Sequence, residues 1–212
     1  MKDAIKRILR RGGVYYPLYF LRQIPAIIRW MRGGCSAPAP HAIKMSVVRS
    51  YLRRYNLRQF VETGTYLGDT LEYIAREGVG CASIELSEQL HAKAMWRFTG
   101  FENVNLILGD SAQEMPKLLA RLGMPALFWL DGHYSGGFTA KGEKDSPIMA
   151  ELEAIYNHPV AGHVILIDDA RCFDGTNDYP HLDDLLRKMK EEGRYKSEVS
   201  MDIIRLVSRA VS

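Results

Sequence analysis

Residues 60–68 read Phe-Val-Glu-Thr-Gly-Thr-Tyr-Leu-Gly, and this stretch decides the fold. Two apolar residues lead into a carboxylate at Glu62, and Gly64 and Gly68 follow before a helix-compatible segment, 69–76. The pattern predicts a buried strand, a tight turn and a helix start, because glycine adopts positive φ without steric cost and lets the backbone approach a ligand closely. In open α/β sheets, the crevice at the carboxyl end of such a strand binds nucleotide-like ligands.

Apolar strands and amphipathic helices alternate through the rest of the chain. Strands are expected at 59–62, 81–85, 104–108, 126–131 and 163–168, and helices at 43–55, 70–76, 88–98, 112–122, 147–157 and 181–192. This alternation predicts a parallel sheet with right-handed crossovers and helices on both faces. The last two strands, 195–200 and 202–207, are too close in sequence for a crossover, so they must form an antiparallel hairpin. The expectation is a Rossmann-like α/β sheet of seven strands.

Length and composition suit one such domain with an extension, since the chain has 212 residues of which 47% are apolar. The three cysteines are odd in number and far apart, which argues against a disulfide framework and against a zinc site. No secretory signal is expected, because the apolar stretch 14–21 contains Pro17 and lacks a cleavage site. No run reaches the roughly 20 apolar residues that span a membrane. We therefore expect a cytoplasmic protein.

The first 33 residues form a basic, aromatic head, with eight lysines and arginines against one aspartate, whereas the remainder is acidic overall. We divide the chain into this extension, which we expect to be helical, with its linker, 1–41, and a domain, 42–212. Tyrosine and tryptophan beside basic residues are typical of lipid headgroup boundaries, so one interpretation is peripheral attachment of residues 1–34 to the anionic inner face of a membrane. The rival interpretation is an arm that packs on the domain or in a homodimer. A nucleic-acid partner is not expected, because the domain is acidic and shows no groove-reading or base-stacking motif.

Each parallel strand ends in polar or acidic side chains. These are Glu62, Glu85, Asp110 with Ser111, Asp131, and Asp168 with Asp169. A single acid could simply cap the next helix, but five strand ends would bring repulsive carboxylates to one edge, which requires a cation, a cationic ligand or hydrogen-bond donors. Glu85 follows Glu62 at the spacing of an acid that binds ribose hydroxyls, and Asp110 and Ser111 are placed to meet an adenine edge. Because no phosphate-binding lysine motif is present, the pattern favours an adenosine site over an NAD or ATP site.

The ordered series of motifs from residue 62 to residue 169, closing in a hairpin, resembles a class I S-adenosylmethionine-dependent methyltransferase. The resemblance covers about residues 42–207, and the Glu-x-Gly-x-x-x-Gly turn is most similar to the metal-dependent catechol and sugar O-methyltransferases. It implies a Rossmann-like class I methyltransferase sheet and S-adenosylmethionine as cofactor. The cofactor contacts that it implies are Glu62, Gly64, Thr65, Gly68, Thr70, Glu85, Leu86, Asp110, Ser111 and Asp131.

The resemblance also implies a divalent metal, usually Mg²⁺, held by Asp131, Asp168 and Asp169. Three carboxylates from two adjacent strand ends offer hard oxygen ligands, which suit Mg²⁺ or Mn²⁺ and not zinc. Such an ion would lower the pKa of a bound hydroxyl and orient its oxygen. The catechol group has a lysine base three residues after its metal acid, and this chain has Tyr134 there, so His133 or Tyr134 is the candidate base beside Asp131.

The function expected from these residues is metal-assisted O-methylation of a hydroxyl on a small-molecule or saccharide acceptor. One alternative keeps the fold and metal site but carries out another reaction on a sugar derivative. A second alternative is a non-catalytic adenosine-ligand module at a membrane, which would have no need for a metal trio. The glycine-containing stretch 135–144 beside the site is typical of a mobile substrate loop or of a plain connection.

Overall fold

A computed structural model describes residues 13–131 and 146–211, and a seven-stranded sheet forms its centre. The strands are β1 (Gln59–Thr63), β2 (Gly80–Glu85), β3 (Val104–Leu108), β4 (Leu127–Leu130), β5 (Val164–Ile167), β6 (Tyr195–Ser200) and β7 (Ile203–Ser208). The helices are α1 (Tyr15–Arg32), α2 (His41–Arg54), α3 (Asp69–Ala75), α4 (Glu88–Arg97), α5 (Ser111–Leu119), α6 (Ile148–Asn157) and α7 (Leu182–Glu192), with one 3₁₀ turn at Ala170–Cys172.

The strand order is β3-β2-β1-β4-β5-β7-β6. Strands β1 to β5 pair in parallel, whereas β7 runs antiparallel to β5 and to its hairpin partner β6. The predicted seven-stranded topology is therefore confirmed. Because the chain leaves β1 toward β2 and later returns from β3 to β4 on the other side of β1, the order reverses between β1 and β4, and a crevice opens outside their carboxyl ends.

Alternate residues of the central strands pack into two separate apolar layers, as expected for a parallel sheet covered on both faces. In β4, Leu127 and Trp129 belong to the layer beneath α2, α3 and α4, whereas Phe128 and Leu130 belong to the layer beneath α5, α6 and α7. All four side chains are at most 3% exposed. This burial fixes the strand register, because a shift by one residue would exchange the two layers.

Helix α1 packs on the domain through one aromatic face. The Tyr16 hydroxyl donates to the carbonyl of Asp69 at 3.1 Å, and the Tyr16 and Phe20 rings lie 5.0 and 5.3 Å from the ring of Tyr73. Tyr19 bonds to His41 at the start of α2. Within the described ranges, 13–131 and 146–211, we find no helix with the length and apolarity needed to cross a bilayer.

The glycine turn between β1 and α3 is clamped by Arg97 of α4. The Arg97 guanidinium lies 2.7 Å from Asp69 and 2.6 Å from Glu72, both on α3, and it also donates to the carbonyl of Leu67 in the turn itself. Gly68 follows with φ +73°, and a Cβ at this position would lie 2.8 Å from the buried ring of Phe98. Only glycine therefore satisfies both the backbone conformation and the space at residue 68.

We expect Gly68→Ala to destabilise the protein by at least about 1 kcal/mol more than Gly78→Ala. Both glycines have similar positive φ, +73° and +75°, and each alanine should cost about 1–2 kcal/mol for the left-handed backbone. A methyl group added at Gly78 would meet no atom within 4 Å, so this variant isolates the backbone cost from the additional overlap with Phe98. Urea unfolding of the two variants measures the difference, and equal losses would contradict the argument.

Candidate active site

The carboxyl ends of β1 to β5 meet at one edge of the sheet. Thr63, the last residue of β1, pairs with Ile84 of β2 and with Leu130 of β4, and Leu130 pairs in turn with Ile167 of β5. Glu85 pairs with Leu108, the last residue of β3. This register brings together the strand-end side chains that the sequence singled out: Glu62, Glu85, Asp110, Ser111, Asp131, Asp168 and Asp169.

Glu62 is the most deeply buried of these acids, at 2% exposure. Its Oε1 accepts a hydrogen bond of 2.8 Å from the Ser83 hydroxyl, which is itself 2.5 Å from the hydroxyl of Thr65. Burial raises the pKa of Glu62 to about 8, and the nearby carboxylates of Asp131 and Glu85 add to this rise. The Glu62 carboxyl is therefore largely protonated at neutral pH unless a cationic group approaches it.

The glycine turn presents backbone to the crevice. Gly64 has φ +81°, and its N–H donates to the carbonyl of Ile84 at 2.9 Å, while the Gly68 N–H closes the turn on the carbonyl of Thr65 at 2.7 Å. The Thr65 side chain is buried against Ser83. Thr70, in the first turn of α3, lies 3.1 Å from the ring of His41. Thr65 thus fixes the turn against β2, whereas Thr70 joins the start of α3 to α2.

Backbone amides hold the carboxylates on the β2 and β3 side of the edge. Glu85 accepts from the N–H groups of Tyr66, at 2.8 Å, and Ser87, at 2.9 Å. Asp110 caps α5 by accepting from Ala112 N at 2.9 Å. Leu86 is half-buried and Ser111 is buried beside these two acids. The carboxylates are fixed in position while each retains further lone pairs for a ligand.

Asp131, Asp168 and Asp169 form the second half of the site. Each offers a carboxylate oxygen, and the three oxygens lie within 4.8 Å of one another. Asp169 adopts a left-handed backbone with φ 55°, and Oδ1 of Asp168 accepts the Asp169 N–H at 2.8 Å. Three hard oxygen donors at this spacing fit a divalent ion by their chemistry.

Two cationic side chains that the sequence analysis missed contact these acids. Lys44 of α2 places Nζ 2.7 Å from the Asp168 carboxylate and 2.9 Å from Oδ1 of Asp169. Arg171 places Nη1 2.7 Å from the same Oδ1 and also pairs with Asp202. Burial opposes the Lys44 ammonium, but the field of Asp168 and the hydrogen bonds to both acids outweigh it and raise the pKa of Lys44.

Glu151 is a further acid that the sequence analysis missed. It lies on α6, it is 1% exposed, and burial raises its pKa to about 7. Because Glu151 lies within a helix and not at a strand end, the strand pattern gave no signal for it. For Lys44, by contrast, the helical spacing with Val48 and Tyr51 is a signal that could have indicated its place on the buried face of α2.

The candidate bases His133 and Tyr134 lie outside the described residues, as does the glycine-containing stretch 135–144. Their roles stay predictions. The cofactor and metal roles assigned from the sequence likewise stay predictions, while the positions of the residues are those given above.

Comparison with known proteins supports the fold. No family model and no curated protein matches this sequence. Among solved structures, an O-methyltransferase from Bacillus cereus in complex with S-adenosylhomocysteine has a TM-score of 0.61 at 15% identity, over 89% of this chain and 91% of that one. The O-methyltransferase TomG from Streptomyces achromogenes, in complex with S-adenosylmethionine, has a TM-score of 0.59 at 16% identity over 87% of each chain. A putative caffeoyl-CoA O-methyltransferase from Staphylococcus aureus has a TM-score of 0.60 at 12% identity, over 91% of this chain and 98% of that one. The expected class I methyltransferase fold is confirmed.

We expect the stability of the wild type relative to Glu62→Gln to fall as pH rises from 5 to 8, by about 1 kcal/mol or more. The pKa of Glu62 is raised to about 8 in the fold, so a proton that the unfolded chain releases near its ordinary pKa is retained in the native state. The stabilisation that comes from this retained proton is fully present below the pKa of the unfolded chain, and it is lost as pH rises through the folded pKa of about 8. Urea unfolding across this pH range measures the difference, and the exposed Glu191→Gln controls for the substitution itself. A difference independent of pH would contradict the argument.

Proposed function

We propose that this protein is an S-adenosylmethionine-dependent methyltransferase that transfers the methyl group to a hydroxyl oxygen of a small molecule. The observation that carries the proposal is that Glu62, Glu85 and Asp110 lie at one edge of the sheet, at the ends of three neighbouring strands, beside the glycine turn and the reversal of strand order. The fold shared with O-methyltransferases that hold S-adenosylmethionine or S-adenosylhomocysteine supports it.

On the cofactor side, each acid has a distinct partner in the proposal. Glu85 accepts hydrogen bonds from the two ribose hydroxyls, and Asp110 with Ser111 meets the adenine edge. Glu62 faces the cationic amino-acid end of the cofactor, where a positive charge would favour its ionised form. The backbone of Gly64 leaves room for this close approach.

On the acceptor side, the reaction is a single displacement at the methyl carbon. The acceptor oxygen forms a bond to that carbon, the carbon–sulfur bond breaks, S-adenosylhomocysteine leaves, and the hydroxyl proton passes to a base. Asp131, at the end of β4, lies between the cofactor acids and the Asp168–Asp169 pair, so it is placed to border both reactants. We retain His133 or Tyr134 as the proposed base. Positioning of the two reactants should supply much of the rate enhancement.

The finer proposal is that a divalent ion, most simply Mg²⁺, assists the reaction. Asp131, Asp168 and Asp169 would hold it, and it would lower the pKa of the acceptor hydroxyl and orient its oxygen. We propose a saccharide or another small molecule as the acceptor.

We further propose that the extension, 1–41, attaches the domain, 42–212, to an anionic lipid surface. Helix α1 also carries five exposed apolar residues at steps of three and four: Leu18, Leu21, Ile24, Ile28 and Met31. Residues 13–34 contain three arginines and no acid, so this exposed part of the helix complements an anionic surface. A second copy of the chain is the rival occupant.

We expect wild-type protein to bind S-adenosylhomocysteine with a dissociation constant on the order of micromolar in calorimetric titration. Glu85→Ala should weaken this binding about tenfold or more, because it removes charge-assisted hydrogen bonds to the ribose. Glu191→Ala, at an exposed position of α7, should bind as the wild type does. If folded wild-type protein shows no binding with or without Mg²⁺, the methyltransferase proposal fails.

We expect the wild type to co-sediment with vesicles that contain phosphatidylglycerol and not with vesicles of pure phosphatidylcholine. Leu21→Ser with Ile28→Ser should lower the bound fraction about tenfold or more, because burial of two large aliphatic side chains is lost. Val199→Ser with Met201→Ser removes exposed apolar side chains at the β6–β7 hairpin, away from α1, and serves as the control. A wild type that stays unbound in both vesicle types, or a dimer that only the α1 variant dissociates, would contradict the lipid proposal.

A further inference from the structure

The Asp168–Asp169 pair already has a cation that belongs to the protein. Lys44 reaches it from a position 124 residues earlier in the chain, and its ammonium contacts both carboxylates, at 2.7 and 2.9 Å. The three side chains are 11%, 4% and 8% exposed. Lys44 is therefore a buried bridge between two acids rather than a surface ion pair.

Electrostatics explains why the bridge forms. Two adjacent buried carboxylates repel each other, and removing them from water carries a large cost unless a cation compensates. Arg171 assists only one side of the pair, since its contacts are to Asp169 and Asp202, and its side chain is 41% exposed. An ammonium is compact and has three donors, so Lys44 can satisfy both acids at once.

The local setting of Lys44 indicates that the carboxylates hold it there. It lies in the first turn of α2, where the helix macrodipole disfavours a positive charge. It also shares a helix face with Val48 and Tyr51, which are both buried. A lysine at such a position gains nothing from its own helix, and its contacts with Asp168 and Asp169 supply the compensation.

A divalent ion bound to the acidic trio would need the same oxygens. Carboxylate oxygens approach Mg²⁺ at about 2.0–2.1 Å, and a second cation at hydrogen-bond distance from those oxygens would repel the ion. We propose that the Lys44 ammonium is the resident cation of the Asp168–Asp169 pair and that it competes with a divalent metal for these carboxylates. The inference rests on the proposed function only in placing this pair beside the acceptor hydroxyl.

The direct test is Mn²⁺ binding by the full chain, followed through the loss of the electron paramagnetic resonance signal of free Mn²⁺. Lys44→Met keeps an unbranched side chain of similar length but removes the charge. It should bind Mn²⁺ at least about tenfold more tightly than the wild type, because the competitor is gone. Lys196→Met, on the exposed edge strand β6, should bind as the wild type does. Adding Asp168→Asn to Lys44→Met should weaken the gained binding, which places the ion at this pair.

Two further variants of Lys44 complete the experiment. Lys44→Gln replaces the methionine variant if that protein does not fold, and Lys44→Arg, which keeps the charge, should retain the weak binding of the wild type. Lys44→Met or Lys44→Gln that binds Mn²⁺ no more tightly than the wild type overturns the proposal, as does the absence of binding in every variant. Titration of the same samples with S-adenosylhomocysteine separates this failure from failure of the methyltransferase proposal, because that ligand reports the cofactor half alone.

Discussion

The structure depends on how it neutralises the carboxylates that its parallel strands deliver to one edge. Parallel pairing leaves no choice about this placement, because all five strands end on the same side. The fold then uses a different solution for each acid. Glu62 is kept largely neutral by burial, Glu85 and Asp110 accept backbone N–H groups, and Asp168 with Asp169 binds the Lys44 ammonium. Each solution balances charge locally, as a buried polar cluster requires.

These solutions are of two kinds. Backbone N–H groups carry no exchangeable counter-charge, and they hold the carboxylates of Glu85 and Asp110 in place, which suits the cofactor role that we propose for these acids. A proton on Glu62 and an ammonium on the Asp168–Asp169 pair are exchangeable by comparison. If a cationic ligand displaces either of them, as we propose, the charge state of this edge changes with the bound ligand.

The regular part of this architecture could be predicted from the sequence, and the charge compensation could not. The strands lie within about two residues of the expected positions, because apolar runs and glycine turns are local signals. The convergence of Glu62, Glu85, Asp131 and Asp168 follows from parallel topology alone. Lys44 was missed because its contact is tertiary and spans 124 residues, and only its helical spacing with Val48 hinted at burial. Likewise, the sequence predicted a basic helical extension, but not that Tyr16 would be buried against the domain while Leu21 and Met31 stay exposed to solvent.

The packing of α1 ties this extension to both halves of the edge. Tyr16 donates to the carbonyl of Asp69, the first residue of the helix that follows the glycine turn. Tyr19 bonds to one ring nitrogen of His41, and Thr70 lies 3.1 Å from the other. Burial lowers the pKa of His41, which favours the neutral ring with the one donor and one acceptor that such a chain of hydroxyls needs. His41 opens the helix that carries Lys44, so α1 cannot shift without breaking these bonds or moving the elements that hold the glycine turn and the resident ammonium.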